Sequence, residues 1–428
     1  MRRMNVHMLA ATLLCTSAVI AIPERAAAST FRVLYSFCHD KRFVCSDGKA
    51  PTANVIRDAA GNLYGTTSAG GPTGNGVIFE LARSGRKYTY QMLHSFDGAA
   101  DGGVPVTQLI MDMAGNLYGT ATADGSNFGG TAFQLSPDAN HENWTYKVLT
   151  NFCSSGGANC IQGMVPESPL TYAGAARGHI YDGVSPLYGT TLNGGPNGVG
   201  TAYQLTLSGG TWTGALLYSF CSVANCADGQ FPSGQLVLDA KGNLYGTTNA
   251  GGTGDGSAGV AYRIITGTGS GNVVYDFCSK PSCRDGSLPG TGVTLDGRRT
   301  MFGATGVGGK HGSGTVYELN AASGKQSVLY SFCMRAGCKD GVGPTSPVIE
   351  YGGALIGTAR GGNSTSAGVI YRIGAGNDET VLHTFCEEPD CTDGSLPVGV
   401  LADGAGNLFG ATQTGGKKNA GVIYEFTP

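Results

Sequence analysis

The sequence predicts an all-β protein, specifically a seven-bladed β-propeller of four-stranded blades. One unit of sequence recurs seven times, which indicates a modular array. Each unit holds four short runs of β-branched and aromatic residues between Gly, Asn and Asp turns, and no stretch shows a sustained helical period. The 428-residue chain is long enough for two or three ordinary domains, but the repeat favours one closed ring.

The first repeat shows the unit most clearly. Its strands are predicted at residues 33–37, 55–58, 63–67 and 76–81, joined by a cysteine loop, a tight Gly-Asn turn and a Gly-rich loop. The Leu-Tyr-Gly-Thr strand and weaker variants of it recur at residues 63–66, 117–120, 187–190, 244–247, 301–304, 355–358 and 408–411.

The two ends of the chain predict how the ring closes. The N-terminal segment 31–37 supplies a single strand, and the C-terminal segment 421–426 supplies a last strand that lacks an outer partner. If the first strand joins the last blade, ordinary strand pairing closes the ring. An open β-solenoid is the alternative, although its coils are usually shorter and need special end caps.

Antiparallel alternation assigns the connections to two faces if the strand near each repeated Pro is innermost. The cysteine loops and the Gly-rich loops then share one face, called here the cysteine-loop face, and the short turns share the other, the turn face. In the third repeat an extra segment, residues 174–184, replaces one short turn. Most of the length and variation lies on the cysteine-loop face, so we expect binding residues there.

Residues 1–28 are predicted to be a secretory signal peptide. Arg2 and Arg3 form a positive start, residues 9–22 are apolar but too short to span a bilayer, and residues 26–28 offer a small-residue cleavage site. We therefore expect a secreted or periplasmic protein.

Residues 29–428 are then expected to form a single domain. No further apolar run is long enough for a membrane span, and a lipoprotein modification at Cys15 is a weaker alternative because a small residue is expected before that cysteine. The net charge of -3 gives no basic surface for nucleic acid, and we expect a monomer.

Twelve cysteines outside this signal fall in six close pairs, each just after a repeated Phe. Behind a signal peptide this spacing predicts six local disulfides in an oxidising compartment. A zinc site is a poor alternative because no second pair or His lies at ligand spacing. The pairs are Cys38 with Cys45, Cys153 with Cys160, Cys221 with Cys226, Cys278 with Cys283, Cys333 with Cys338, and Cys386 with Cys391.

The best candidate for binding is an Asp-Gly-x-x-Pro element. One interpretation is a ring of carboxylates around the mouth of the central channel, able to bind an amine, sugar hydroxyls or a calcium ion. The other is structural: the Asp caps a turn, the Gly adopts a positive φ and the Pro opens the next strand. Gln162 takes the place of Asp in the third repeat, and the Asp residues of the others are Asp47, Asp101, Asp228, Asp285, Asp340 and Asp393.

Other patterns predict no catalytic site, metal site or cofactor. The glycines at 254, 256 and 259 match a dinucleotide fingerprint in spacing, but no helix follows them and every repeat carries glycines in that slot. His94 and His383 occupy the position of a repeated Tyr, which favours a structural role on outer strands. The sequence contains neither Gly-x-Ser-x-Gly nor His-Glu-x-x-His.

With these motifs in hand, the chain resembles the GloVer tandem-repeat family of secreted bacterial proteins. The resemblance rests on the order Leu-Tyr-Ser-Phe, Asp-Gly-x-x-Pro, Gly-Asn-Leu-Tyr-Gly-Thr-Thr, Gly-Gly and Gly-Val-x-Tyr/Phe-x-Leu, and it covers residues 31–428. It implies export, and it implies no reaction and no catalytic residues.

The sequence favours a binding propeller whose partner is an extracellular glycan, a peptide or a protein. One alternative is an extracellular hydrolase or lyase with carboxylates at the channel mouth, and another is a structural module of a cell-envelope assembly. An enzyme should bring at least two non-repeated polar residues with shifted pKa values together at the channel. A scaffold should instead present a large flat apolar face.

Overall fold

The computed structural model describes residues 29–39, 45–154, 160–296, 299–362 and 366–428. Seven antiparallel sheets form a ring, so the predicted seven-bladed β-propeller is confirmed. The predicted signal peptide, residues 1–28, lies outside the described residues, as does part of three loops on the cysteine-loop face.

The strands follow chain order from the inner to the outer position of each blade. Blade 1 contains β2 (Ile56–Arg57), β3 (Leu63–Thr67), β4 (Val77–Ser84) and β5 (Lys87–Ser95). Blade 2 contains β6 (Ile110–Met111), β7 (Leu117–Ala121), β8 (Thr131–Pro137) and β9 (Trp144–Asn151). Blade 3 contains β10 (Leu187–Thr191), β11 (Thr201–Ser208) and β12 (Thr211–Ser219). Blades 4 and 5 contain β13 (Gln230–Leu238), β14 (Asn243–Ala250), β15 (Val260–Ile265), β16 (Ser270–Asp276); and β17 (Val293–Leu295), β18 (Thr300–Thr305), β19 (Thr315–Asn320), β20 (Gln326–Ser331). Blades 6 and 7 contain β21 (Val342–Pro344), β22 (Ile349–Tyr351), β23 (Ala354–Arg360), β24 (Val369–Ile373), β25 (Glu379–Thr384); and β26 (Ser395–Ala402), β27 (Leu408–Thr414), β28 (Val422–Thr427), with β1 (Thr30–Ser36) outermost.

Two blades depart from the regular pattern. In blade 3 the inner strand is reduced to a single bridge between Thr171 and Tyr188, and in blade 6 it is split into β21 and β22. The helical content of the described residues is limited to five short 3₁₀ turns: Ala175–Arg177, Ala224–Cys226, Pro281–Cys283, Ala336–Cys338 and Pro389–Cys391.

The N-terminal strand closes the ring. Strand β1 pairs antiparallel with β28 from Thr30 opposite Thr427 to Ser36 opposite Val422, and Arg32 forms an ion pair with Glu425 across this joint. Blade 7 is therefore completed by the opposite end of the chain, as the sequence predicted, and the open solenoid is excluded.

Aromatic side chains fill the space between neighbouring blades. The Phe after each outer strand is buried and packs against a Phe or Tyr on a third strand, with ring centroids 4.8–5.6 Å apart. The third-strand ring also covers the Gly of the Leu-Tyr-Gly-Thr strand: a Cβ on Gly65 would lie 2.7 Å from the Phe79 ring. This contact explains why the motif keeps a Gly inside a strand.

A Gly–Pro joint connects each blade to the next. The Gly before each third strand has φ between +89° and +107°, and a Cβ there would lie 2.5–2.8 Å from Cδ of the next blade's Pro. The seven pairs are Gly76 with Pro105, Gly130 with Pro166, Gly200 with Pro232, Gly259 with Pro289, Gly314 with Pro344, Gly368 with Pro397, and Gly421 with Pro51. The last pair joins blade 7 to blade 1, so the joint is continuous around the ring.

A backbone hydrogen bond accompanies every joint. The residue before the Pro adopts the left-handed conformation and donates its N–H to the carbonyl of the residue before the Gly of the preceding blade. Val104, for example, has φ +55° and donates to Asn75 over 2.9 Å. This conformation is costly for a β-branched residue, so the contact between blades must stabilise it.

We expect Gly76→Ala to destabilise the fold more than Gly74→Ala, although φ is +97° at Gly76 and +94° at Gly74. Both changes strain the backbone by about 1–2 kcal/mol. A Cβ at residue 76 would also meet the Thr67 carbonyl of its own blade and Pro105 of the next blade, whereas nothing lies within 4 Å of one at residue 74. Overpacking should add about 1–3 kcal/mol to the loss for Gly76→Ala. Urea unfolding of both variants measures the difference, and equal losses would contradict a role for the joint.

Candidate functional site

A cavity of about 500 Å³ lies on the axis of the ring. All seven blades contribute to its wall, mainly through the few residues that follow the repeated Pro. These segments begin next to the cysteine-loop face, because the Pro itself ends the loop from the preceding outer strand. The Gly–Pro joint therefore also fixes the positions of the residues that line the cavity.

The side chains at these positions differ from blade to blade, although the backbone that carries them repeats. Their chemistry is mostly that of hydroxyls and amides, with glycines and a few aliphatic groups between them. The polar lining residues are Thr52, Asn54, Thr107, Gln108, Glu167, Ser233, Gln235, Thr291, Thr294, Thr345 and Ser346.

Part of this polar lining is held in place by the framework. The Gln108 side chain donates to the Val55 carbonyl of the neighbouring blade over 3.2 Å, and the Asn54 side chain accepts from the Val55 amide over 2.9 Å. Ser233 donates to the Gly290 carbonyl of the next blade over 3.2 Å. The Gln108 and Ser233 bonds cross between blades, the Asn54 bond is local, and all three fix the orientation of groups that face the cavity.

Glu167 is the one ionisable side chain among the described residues that line the cavity. Burial raises the pKa of its carboxyl above the ordinary value. Within the described part of the chain it forms no ion pair. A half-buried carboxylate without a partner is suited to a ligand that brings a cation or several hydrogen-bond donors.

The six Asp residues of the Asp-Gly-x-x-Pro elements lie away from this cavity. None of them is among its lining residues, and four of them are buried: Asp228, Asp285, Asp340 and Asp393. The structure therefore does not place a carboxylate ring at the channel wall. Ligand binding by these carboxylates stays a prediction.

Asp285 shows what these carboxylates contact. It accepts hydrogen bonds from the Tyr275 hydroxyl at 2.7 Å, from the Ser279 amide at 3.0 Å and from the Lys280 amide at 3.2 Å. Asp228 and Asp340 make corresponding contacts with Tyr218 and Tyr330. The Asp thus connects the outer strand to the first residues of its cysteine loop, which supports the turn-capping interpretation.

The loop that leads into blade 1 keeps this Asp–Tyr contact, and the loops that lead into blades 2 and 7 have His in place of the Tyr. Asp47 accepts from Tyr35 over 2.6 Å, whereas Asp101 lies 2.9 Å from Nε2 of His94, which takes the place of the Tyr. His383 lies 4.0 Å from Asp393, and burial lowers the pKa of His383 to about 4.

The third repeat has lost both partners of this contact. Thr150 stands where the other repeats carry Tyr or His, and Gln162 stands where they carry Asp. Both residues of the contact are therefore replaced in the same repeat, which is expected if the contact between the two positions is structural.

Disulfides hold the cysteine loops, as predicted. Six bonds join the expected pairs, and all twelve bonded cysteines have a positive φ. In blade 4 the Cys226 carbonyl accepts from Gly229 and also from Gly252 of the Gly-rich loop, both over 2.9 Å. In this repeat the disulfide-bonded loop is therefore hydrogen-bonded to the Gly-rich loop beside it.

The described residues also bear on metal, nucleotide and membrane binding. In the described ranges no three His, Cys, Asp or Glu side chains converge closely enough to hold a metal ion. The fingerprint-like glycines 254–259 connect β14 to β15, two strands. None of the described helices has the length and apolar character to cross a bilayer.

Sequence reasoning missed the residues that line the cavity. A signal was present, because each lining residue follows the repeated Pro by a few positions and the residue types there differ from repeat to repeat while the surrounding motifs recur. It could not be recognised, because nothing in a single sequence shows that seven such segments meet on one axis.

Comparison with known proteins identifies the family of this repeat protein. The chain belongs to the family described as the Gloeobacter/Verrucomicrobia repeat, whose model matches residues 24–185 and 282–428. No curated protein matches the chain in sequence.

Solved structures are similar in fold at low sequence identity. The extracellular domain of a B. thetaiotaomicron protein described as a one-component system has a TM-score of 0.50 and 11% identity, over 92% of this chain and 40% of that one. A chain of the nidogen/laminin complex has a TM-score of 0.41 and 15% identity, over 72% and 91%. TolB from Acinetobacter baumannii has a TM-score of 0.39 and 15% identity, over 78% and 63%. The first of these likenesses supports the fold alone.

We expect Asp285→Asn to lower the free energy of unfolding by about 1–3 kcal/mol, because the amide replaces one accepting oxygen by an NH2 group that cannot accept from the donors on that side. Urea unfolding checks this, with Asp255→Asn in an exposed loop as the matched control. Unchanged stability together with lost calcium or ligand binding would instead favour the binding interpretation.

We expect Glu167→Gln to stabilise the protein at about pH 8 and to have little effect at about pH 4. Since burial raises the folded-state pKa of Glu167, the wild-type carboxyl disfavours folding once pH rises through that value. Unfolding midpoints at both pH values measure this, with the exposed Glu142→Gln as control. A destabilised Glu167→Gln variant at the higher pH would contradict the absence of a partner for this carboxylate.

Proposed function

We propose that this protein is a binding propeller that receives its ligand in the axial cavity from the cysteine-loop face. The observation that carries the proposal is the contrast at the cavity wall: a seven-fold framework presents different polar side chains at equivalent positions. Polar groups placed on rigid elements around a concave site are typical of ligand recognition.

The chemistry of the wall favours a polar ligand. Hydroxyls and amides from at least five blades can exchange hydrogen bonds with sugar hydroxyls or with a peptide backbone, and Glu167 can accept from an amine or guanidinium group. No aromatic side chain is among the described residues that line the cavity, which favours hydrogen bonding over ring stacking. The ligand classes that we propose are therefore an extracellular glycan or a peptide.

Binding fits the cavity better than hydrolysis or elimination. Acid–base cleavage of a glycosidic bond generally needs two carboxyl groups, and the described wall supplies Glu167 only. A structural module should present a continuous apolar face, but the exposed apolar side chains of the cysteine-loop face, such as Phe128, Val223 and Met334, lie on different blades. The enzymatic and structural alternatives thus lack a specific observation in their favour.

The proposal includes export. Six disulfides are typical of oxidising compartments, so we propose that residues 1–28 direct secretion and that residues 29–428 act as a single domain outside the cytoplasm.

Blocking the cavity should abolish binding. Glycan and peptide arrays probed with the purified protein, in calcium and in chelator, should identify a ligand, and Val106→Trp combined with Val398→Trp should remove that signal. Both valines line the cavity and are only half-buried, so larger side chains there should fill the channel without unfolding the ring.

The control is Val184→Trp, which enlarges an exposed side chain on the turn face. It should retain full binding, and thermal unfolding should be similar for all three proteins. A ligand that binds the blocked variant as well as the wild type would place the binding site outside the channel and overturn the proposal.

A further inference from the structure

The inserted segment of the third repeat, residues 174–184, is the part of the described chain with no counterpart in the other repeats. It contains the 3₁₀ turn Ala175–Arg177, bounded by Gly174 and Gly178. Since it replaces a short turn between the inner and second strands, it lies on the turn face, opposite the cysteine loops.

The insertion is firmly attached to the propeller. The Tyr181 side chain is fully buried, its hydroxyl donates to the Ser185 carbonyl over 2.6 Å, and its ring packs 5.2 Å from that of Tyr118 in blade 2. The Tyr172 hydroxyl donates to the His179 carbonyl over 2.7 Å. These contacts give the segment one defined position, as a binding site requires.

A second cavity, of about 450 Å³, lies between this insertion and the neighbouring turns of blades 4 and 5. The 3₁₀ turn forms one wall, and residues 238–241 together with residues 295, 296 and 299 form the other. Leu238, Leu295 and Ala176 supply apolar surface within it. A cavity of this size accommodates a small organic molecule.

Three cationic side chains line this second cavity: Arg177, Lys241 and Arg299. Each residue is exposed, and none of them takes part in an ion pair within the described residues. The three come from three different blades, so the ring geometry and the insertion together bring them to one cavity.

The carboxylates at the same cavity are engaged in their own turns. Asp239 accepts from the Lys241 amide at 2.8 Å and from the amide and side chain of Asn243 at 2.9 and 2.8 Å. Burial alone would raise the pKa of Asp239, but these hydrogen bonds lower it. Asp296 likewise accepts from the Thr300 amide at 2.7 Å. The charged groups of Arg177, Lys241 and Arg299 can therefore neutralise an anionic ligand in this cavity.

We propose that this cavity binds a compact organic anion with two or more carboxylate groups. Two guanidinium groups and an ammonium group can each pair with oxyanions, and the apolar surface can contact the carbon skeleton between them. The anion could be a free polycarboxylate or the end of an acidic polysaccharide, which present the same chemistry. This proposal is independent of the ligand in the axial cavity.

Isothermal titration calorimetry at low salt tests the proposal with citrate and with trigalacturonate as probes. We expect saturable binding of at least one probe, weakened by added sodium chloride. Arg177→Gln combined with Lys241→Gln should lower the affinity about tenfold or more, because each change removes a charge-assisted hydrogen bond. Binding of citrate alone would indicate a free anion, and binding of trigalacturonate alone would indicate a polymer end.

The matched control combines Lys87→Gln with Lys310→Gln, two exposed cations outside this cavity, so that both double variants lose the same charge. The control should bind the probe as the wild type does. Ala176→Glu, at an exposed position in the cavity wall, should weaken binding without removing any cation.

Failure of both probes to bind, or equal weakening in the two double variants, would overturn the proposal. The combination of Val106→Trp and Val398→Trp should leave anion binding unchanged, so the two binding proposals can fail separately.

Discussion

The Gly–Pro joint between blades is the constraint on which the rest of the structure depends. Each joint needs a Gly with positive φ, a Pro in contact with it and a left-handed residue before that Pro. The left-handed residue donates its N–H to the preceding blade, so each blade fixes the direction in which the next inner strand starts. The seventh joint, between Gly421 and Pro51, makes the ring continuous without depending on β1 alone.

This joint also explains how the side chains that line the axial cavity can differ from blade to blade while the strands keep one arrangement. The residues directly after the Pro must point towards the axis, whatever their side chains are, because the backbone there is held from both sides. Glu167 and Val106 can therefore both stand directly after the repeated Pro in adjacent blades without affecting the sheets. Around them, disulfides and most of the repeated Asp residues constrain the described parts of the cysteine loops, so less conformational entropy would be lost when a ligand binds there.

The third repeat is where the symmetry is broken, and both proposed sites use it. It supplies the lone carboxylate Glu167 to the axial cavity and the inserted Arg177 to the cavity on the turn face. The same repeat has a reduced inner strand and lacks the Asp–Tyr contact. The third repeat thus contributes one charged side chain to each cavity, beside polar and charged residues from other blades.

The sequence by itself determined the number of blades, the order of the strands, the closing role of the N-terminal segment 31–37 and the six cysteine pairs, because these follow from local patterns that repeat. It also predicted the alternative roles of the Asp-Gly-x-x-Pro element, and the contacts of Asp285 show which role its surroundings support. Only the tertiary structure decided which residues face the axis and which cations meet beside the insertion. Those residues are separated by whole repeats along the chain, and their proximity results from closing the ring, which no local pattern records.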